Sequence, residues 1–399
     1  MKVLLFSTLY PNAEQPNLGL FVRTRLQELM KRHAVQARVV APVPWFPSTH
    51  SRFGHYAKFA RVPQAEMQDG IEVLHPRYAL LPKVGLWAAP LGLALAGLGP
   101  LRRLMAEGFD FDVIDAHFYY PDGAAAALLG RWLGKPVCVT ARGSDINLYR
   151  EHATARRAIA WTGRSVSASA GVSRALVDSL ASLGVPSERL HLLPNGVDTE
   201  RFKPLDPQRC RAELGLPAGP LLLAVANLVE LKGHALMLEA LPALLKVRPD
   251  LTLAIVGEGG LRAALEQQAR ALGVHGQVRF AGAQPHAALP RWYNAADLLL
   301  LPSSREGWPN VLLEAMACGT PVLANHVGGT PEIVTTAVAG ELLPHRDART
   351  LAQAALRMLA APRARAAVRE HALQFGWAAT SQAQHKLFQR MLAVPGRAQ

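Results

Sequence analysis

Short apolar runs bounded by turn residues alternate with amphipathic stretches along the chain, a pattern that predicts parallel α/β units. In the first half, strands are predicted at residues 3–7, 37–42, 113–117, 136–141, 165–170 and 190–194. Between the first two, residues 21–31 set Val22, Leu26, Leu29 and Met30 on one helical face. The alternation stops at residues 199–220, where Pro204, Pro207, Pro217 and Pro220 cluster. A linker is expected there, after an N-terminal domain of residues 1–198. The pattern restarts with strands at 221–226, 251–257, 278–281, 298–302, 321–324 and 340–343. Helices are predicted at 233–247, 260–272, 289–295, 308–317 and 349–359. The second domain is expected over 221–372, with a C-terminal helix within 373–399 packing back toward the first. The fold class is therefore α/β, two Rossmann-like domains facing a central cleft. Ligands in such sheets bind at the carboxyl ends of the strands.

Composition agrees with two buried cores: 399 residues, half of them hydrophobic and only 18% charged. Disordered and fibrous classes are excluded. Three cysteines, Cys138, Cys210 and Cys318, show no metal-ligand spacing, and each is expected as a buried, inert thiol in a reducing, cytoplasmic setting. The start, Met1 to Ser7, has too short an apolar run for a signal peptide and is broken by Tyr10-Pro11-Asn12. Residues 84–101 form the most membrane-like stretch, but Pro90, Pro100 and several glycines make a buried or interfacial helix the expected state. The formal charge of +13 concentrates toward both ends of the chain. No helix-turn-helix, RNP or zinc signature accompanies it, so nucleic acid is not an expected partner. An anionic surface or an acidic substrate fits better. Arg102 and Arg103, with Trp45, Phe46, Arg52, Phe53 and Lys58, would suit peripheral contact with an anionic membrane, on the inner face of the cell membrane; a core helix beside a loosely ordered loop is the alternative.

The segment from Pro302 to Pro321 carries the chemistry. An apolar strand ends in a polar loop with Arg305, Glu306 and Gly307, and Pro309 suits the first turn of a helix. Glu314 falls inside that helix among Val311, Leu312, Leu313, Ala315 and Met316, where a carboxylate needs a partner. The helix N-terminus favours a phosphate. On spacing alone, Glu306 as a helix cap and Glu314 as a solvated edge residue is an equally good account.

The wording around the pair resembles the signature of the GT4 family of retaining glycosyltransferases. Glu306-x7-Glu314 lies within EGWPNVLLEAMACGTPVLA and is followed by Gly328-Gly329-Thr330-Pro331-Glu332. Further anchors are Asn195-Gly196-Val197-Asp198, Leu231-Lys232-Gly233, Val256-Gly257-Glu258-Gly259, Val278-x-Phe280-x-Gly282 and Tyr293-x-x-Ala296-Asp297. The resemblance implies a GT-B fold and transfer from a UDP-, GDP- or ADP-sugar to a glycan or lipid-linked acceptor, of a bacterial surface-polysaccharide type. It implies that Glu306 contacts the donor sugar, that Glu314 binds the ribose, and that backbone around Gly307, Pro309, Asn310, Val311 and Leu312 surrounds the sugar and diphosphate. Lys232 becomes the cation facing the departing diphosphate. The family's arginine before it is Asn227 here, so either Arg142 or Arg305 supplies the missing charge or the site relies more on amide donors. No Asp-x-Asp motif follows a strand, and neither a metal nor a cofactor is expected.

In the first domain His117 ends a strand, and the resemblance places such a histidine on the donor sugar; a satisfied core histidine is the alternative. Arg142-Gly143-Ser144-Asp145 ends the next strand, with Asp145 read equally as a helix cap. Gly19 stands where the family has a glycine loop over the diphosphate. Retention is expected through same-face attack assisted by the departing phosphate. A sugar-nucleotide 2-epimerase and a non-catalytic sugar-nucleotide-binding protein are the competing readings on this fold. A nicotinamide-dependent oxidoreductase lacks its GxGxxG after the first strand.

Overall fold

A computed structural model describes residues 1–79, 85–149 and 151–393. The chain divides into two units, Met1–Asn195 with the C-terminal residues from Ala378, and Gly196–Trp377.

The first unit holds β1 (Lys2–Phe6), β2 (Gln36–Val40), β3 (Val43–Pro44), β4 (Ala65–Gln68), β5 (Ile71–Leu74), β6 (Arg77–Tyr78), β7 (Val113–His117), β8 (Val137–Ala141), β9 (Ala168–Gly171) and β10 (Leu190–Leu192). Eight of these form one sheet in the order β10-β9-β8-β7-β1-β2-β5-β4, while β3 and β6 pair separately. Every pair in the large sheet is parallel except β4–β5. That hairpin turns at Asp69-Gly70, both at positive φ, the requirement of a type I′ turn. The expected strand at 165–170 starts only at Ala168, because the helix Ala153–Ser165 occupies the residues before it.

The final helix, Trp377–Ala393, contributes to this unit. Leu387 and Phe388 are buried in one cluster with Val3, Leu29, Val113 and Cys138. Residue 84 of the expected apolar stretch lies outside the described residues, and from Gly85 the chain is helical to Ala106. Among the described residues no helix is long and apolar enough to cross a membrane.

The second unit contains β11 (Leu221–Val225), β12 (Thr252–Val256), β13 (Val278–Gly282), β14 (Leu298–Leu301), β15 (Val322–Asn325) and β16 (Gly340–Leu343). They form an all-parallel sheet in the order β13-β12-β11-β14-β15-β16. The strands are apolar on both faces because helices cover both. Leu298 and Leu300 of β14 join Leu222, Ile255, Leu238, Leu241 and Leu351 in the core. The strand order reverses between β11 and β14, and at such a switch point the two outgoing loops part and leave a crevice. Residues 199–220, read from sequence as a linker, lie within this unit and form the helix Pro207–Leu214, capped by Asp206. From that helix Arg211 bonds the Ala295 carbonyl at 2.8 Å and Asp297 at 2.7 Å, fixing it to the sheet's rim. The prolines there punctuate a helix.

Candidate active site

At the switch point of the second unit, Lys232 follows β11 and Glu306 follows β14. Lys232 Nζ lies 2.6 Å from Glu306 Oε1. The side chains are 23% and 8% exposed, so the pair is mostly shielded from solvent. The backbone joins the same two loops: Ser304 N donates to Leu231 O at 2.8 Å. Gly328 fixes the Glu306 loop from the other side. Its φ is +53°, and a β-carbon there would stand 1.9 Å from the Glu306 carbonyl oxygen. Only glycine permits that approach.

The helix after Glu306 begins at Asn310, two residues later than expected, with Pro309 at the N-cap position and no side chain capping it. Pro309 has no N–H to offer, so amide donors at this end belong to residues after it. Gly307 contributes its carbonyl to Gly329 N at 3.1 Å. Leu312 is buried, and Asn310 and Val311 are half-buried.

Glu314 sits inside this helix and is not a solvated edge residue. Tyr293 donates its hydroxyl to Oε2 at 2.7 Å, and His286 Nε2 stands 3.2 Å from Oε1. Arg201 Nη1 lies 3.0 Å from His286 Nδ1. That contact assigns the hydrogen of a neutral His286 to Nε2, so the ring relays from arginine to carboxylate. Burial, then Glu314, push the Tyr293 pKa well above its ordinary value. Glu306, by contrast, caps nothing and is paired with lysine. Asn227 is exposed, and its carbonyl accepts from Val229 N at 2.9 Å and lies 3.2 Å from His234 Nε2. Arg305 is exposed beside Glu306.

The first unit has its own switch point, between β1 and β7. Gly19, in the loop after β1, has φ +61° and caps the helix Leu20–Arg32; a β-carbon there would meet the Leu9 carbonyl at 2.2 Å. Asp122, after β7, accepts from Thr8 N at 2.6 Å and from Thr8 Oγ1 at 2.8 Å, tying the two loops together. Burial outweighs those bonds and raises its pKa to about 7.

His117 is fully buried at the end of β7. Its Nδ1 takes a hydrogen bond from Arg142 Nη2, and its Nε2 stands 3.2 Å from Asp115 Oδ2, out of line for a good bond. Burial lowers its pKa to about 4; Asp115 opposes this and Arg142 adds to it, so the ring is neutral at pH 7. Both ring nitrogens thus face protein groups. Arg142 also bonds Asn195 Oδ1 at 2.7 Å and stacks over Phe21 at 5.1 Å. Asp145 lies inside the short helix Ser144–Asn147, whose cap position is Gly143, and does not cap it; it accepts from the amides of Arg142, Gly143 and Tyr119, pinning the ends of β8 and β7.

Behind this cluster Gln384 of the final helix donates to Asp115 Oδ2 at 2.8 Å and accepts from Arg25 Nε at 2.8 Å. Sequence reasoning missed Arg25, Asp122, His286 and Gln384 as parts of these clusters. Only Asp122, in a Pro-Asp-Gly turn, had a local signal. All three cysteines are free and buried. Among the described residues no group of three His, Cys, Asp or Glu is placed to hold a metal ion.

A family profile described as "Glycosyl transferases group 1" matches residues 208–375, and one described as "Glycosyltransferase Family 4" matches residues 54–201. A Bacillus subtilis (strain 168) protein assigned as the teichuronic acid biosynthesis glycosyltransferase TuaC is 32% identical over 340 residues, covering 84% of this chain and 83% of that protein. The chain belongs to the GT4 family of glycosyltransferases. GT4 enzymes retain anomeric configuration, and this one is a nucleotide-sugar-dependent glycosyltransferase. A Mycolicibacterium smegmatis GT4 relative, a GDP-mannose-dependent alpha-(1-6)-phosphatidylinositol monomannoside mannosyltransferase, is 36% identical over 282 residues, 67% of this chain and 72% of its own. Among solved structures, Anabaena Alr3699/HepE in complex with UDP superposes with a TM-score of 0.73 at 20% identity, covering 98% and 100% of the two chains. That likeness shows the GT-B fold: two parallel-sheet Rossmann-like domains.

Proposed function

We propose that this GT4 enzyme transfers a sugar from a UDP-, GDP- or ADP-sugar to a glycan or lipid-linked acceptor in bacterial surface polysaccharide synthesis, without a required divalent metal. The observation that carries the proposal is the shielded Lys232–Glu306 pair, 2.6 Å apart, beside the uncapped end of the helix Asn310–Ala317. In this structure each charge satisfies the other. When a donor enters, Lys232 turns its ammonium to the diphosphate, and the amides of the helix end add fixed donors to the same anion. Glu306 is then free to accept from sugar hydroxyls. Glu314 accepts from the ribose while Tyr293 and His286 hold the carboxylate in orientation. The family likeness gives His117 a hydrogen-bonding role toward the sugar, not that of a general base. The leaving phosphate takes the acceptor proton as the new bond forms on the face it vacates. The names of the two relatives support the acceptor class: one concerns a teichuronic acid, the other a phosphatidylinositol mannoside.

Thermal shifts with a panel of UDP-, GDP- and ADP-sugars identify the donor. Glu306→Gln should keep nucleoside diphosphate binding and lose turnover by about a hundredfold or more. No shift with any donor, or full turnover in Glu306→Gln, sinks the proposal.

A further inference from the structure

A cavity of about 390 Å³ opens in the first unit, away from the groups described above. Its walls include Gln64, Leu74, His75 and Arg77 on one side and Gly99 and Arg103 of the helix Gly85–Ala106 on the other. The size is that of a small-molecule site. Since β5 runs parallel to β2, and β2 and β7 to β1, Leu74 leaves the sheet at its carboxyl edge, the edge where β7 ends in His117.

Arg77 is the unusual group. Its Nη2 donates to the Val62 carbonyl, whereas Nη1 is buried with no hydrogen-bond partner. The residue as a whole is only partly buried and lines the cavity, so its charge is available to an anion bound there. Across the cavity the carboxylate paired with Arg103 among the described residues is Glu107, 3.5 Å away with both side chains largely exposed, a weak competitor for an incoming anion. Glu66 is already engaged, 2.7 Å from His75 Nε2.

The helix leads to this pair along one stripe. Leu91, Leu95, Gly99 and Arg103 recur every four residues and are all exposed, a row that slants around the helix by about 40° per step. Leu91 is 50% and Leu95 59% exposed, and nothing stands within 4 Å of where a Gly99 β-carbon would be. From 91 to 103 the stripe is roughly 18 Å long, the reach of a fatty-acyl chain. Apolar rail and basic terminus together match an amphiphile with a phosphate head, and neither part alone requires one.

We infer that Arg77 and Arg103 bind the phosphate of a single lipid molecule whose chain lies along Leu95 and Leu91. This rests on the lipid-linked form of the acceptor proposed above, and it names where that acceptor's phosphate is held. The test is calorimetric titration of the full chain with monomeric dioctanoyl phosphatidic acid, with inorganic phosphate as a parallel arm. The lipid should bind about tenfold or more tightly than phosphate. Arg77→Gln and Arg103→Gln should each weaken the lipid by about tenfold or more, the worth of one charge-assisted hydrogen bond. Leu95→Ser should weaken the lipid by about fivefold and leave phosphate unchanged. Arg103 and Leu95 are exposed, so those two variants keep the test sound if Arg77→Gln unfolds. Three results overturn the inference: phosphate binding as tightly as lipid, lipid affinity unchanged in both arginine variants, or binding only to phosphatidylcholine–phosphatidylglycerol vesicles. The donor thermal shift is read on the same samples. Its loss in the wild-type chain would strike the proposed transfer chemistry, whereas a flat lipid titration beside an intact donor shift strikes this site alone.

Discussion

Lys232 and Glu306 show how little of a residue's meaning lies in its own identity. Paired at 2.6 Å and partly shielded, each makes the other's burial tolerable. Lys232→Ala leaves the Glu306 carboxylate without its counter-ion and should cost about 1–3 kcal/mol in urea unfolding. Glu306→Gln should cost less, because the amide oxygen still accepts from the ammonium; equal losses would mean that the pair contributes no coupling. Two other residues set an expected pH dependence in the first unit. Asp122 goes from 3.8 to about 7 on folding, so its contribution is full at low pH and is lost as pH rises toward and through 7. His117 goes from 6.5 to about 4, so its contribution is present above pH 6.5 and is lost as pH falls through 4. The slopes oppose each other between those limits, and above pH 6.5 only that of Asp122 remains. Asp122→Asn should flatten the decline in unfolding midpoint from pH 6.5 to 8; an unchanged decline would assign it to another group.

At the scale of elements, strands were the most legible feature. A parallel strand covered on both faces must be apolar throughout, and runs such as Leu298–Leu301 announce that directly. The β4–β5 hairpin escaped because its residues alternate in burial, as in Ala65–Gln68, and because the Asp69-Gly70 turn was passed over. The helix carrying Glu314 was placed correctly in kind but began too early, since Pro309 serves as its cap residue. Of the site, Glu306, Glu314 and Lys232 were legible because a recognisable motif carries them. His286 was not, because it lies in a short turn and meets Glu314 only through tertiary packing. The Arg25–Gln384 bond spans 359 positions, and no local pattern could reveal it. Capping gives this scale its prediction. Asp347 accepts from Thr350 N at 2.8 Å at the start of the helix Ala348–Ala360, and Asp347→Ala should cost about 1 kcal/mol, read as a lower thermal midpoint.

For the whole molecule, the decisive fact is that the first unit is assembled from two stretches of chain. Its core is completed by Leu387 and Phe388, and its buried arginine Arg25 by Gln384. A chain ending at Trp377 would keep every residue of the second unit. It would expose Val3, Leu29 and Val113 and leave Arg25 short of a partner. Such a truncation should lose the cooperative unfolding of the first unit while retaining a nucleotide-dependent thermal shift in the second. Loss of both, or of neither, would contradict this division. The milder Phe388→Ala should cost about 3–5 kcal/mol, the usual range for emptying a buried aromatic site.

The same discontinuity sets an order of events during synthesis. The ribosome delivers β1 to β10 first, then the whole of the second unit, and only then the helix that closes the first. At about 5–20 residues per second, the early strands wait on the order of ten to forty seconds with their apolar floor open. The second unit, contiguous from Gly196 to Trp377, can finish folding within that interval. The part of the enzyme that is made first is therefore completed last, and its open floor during that wait is the natural target for a chaperone.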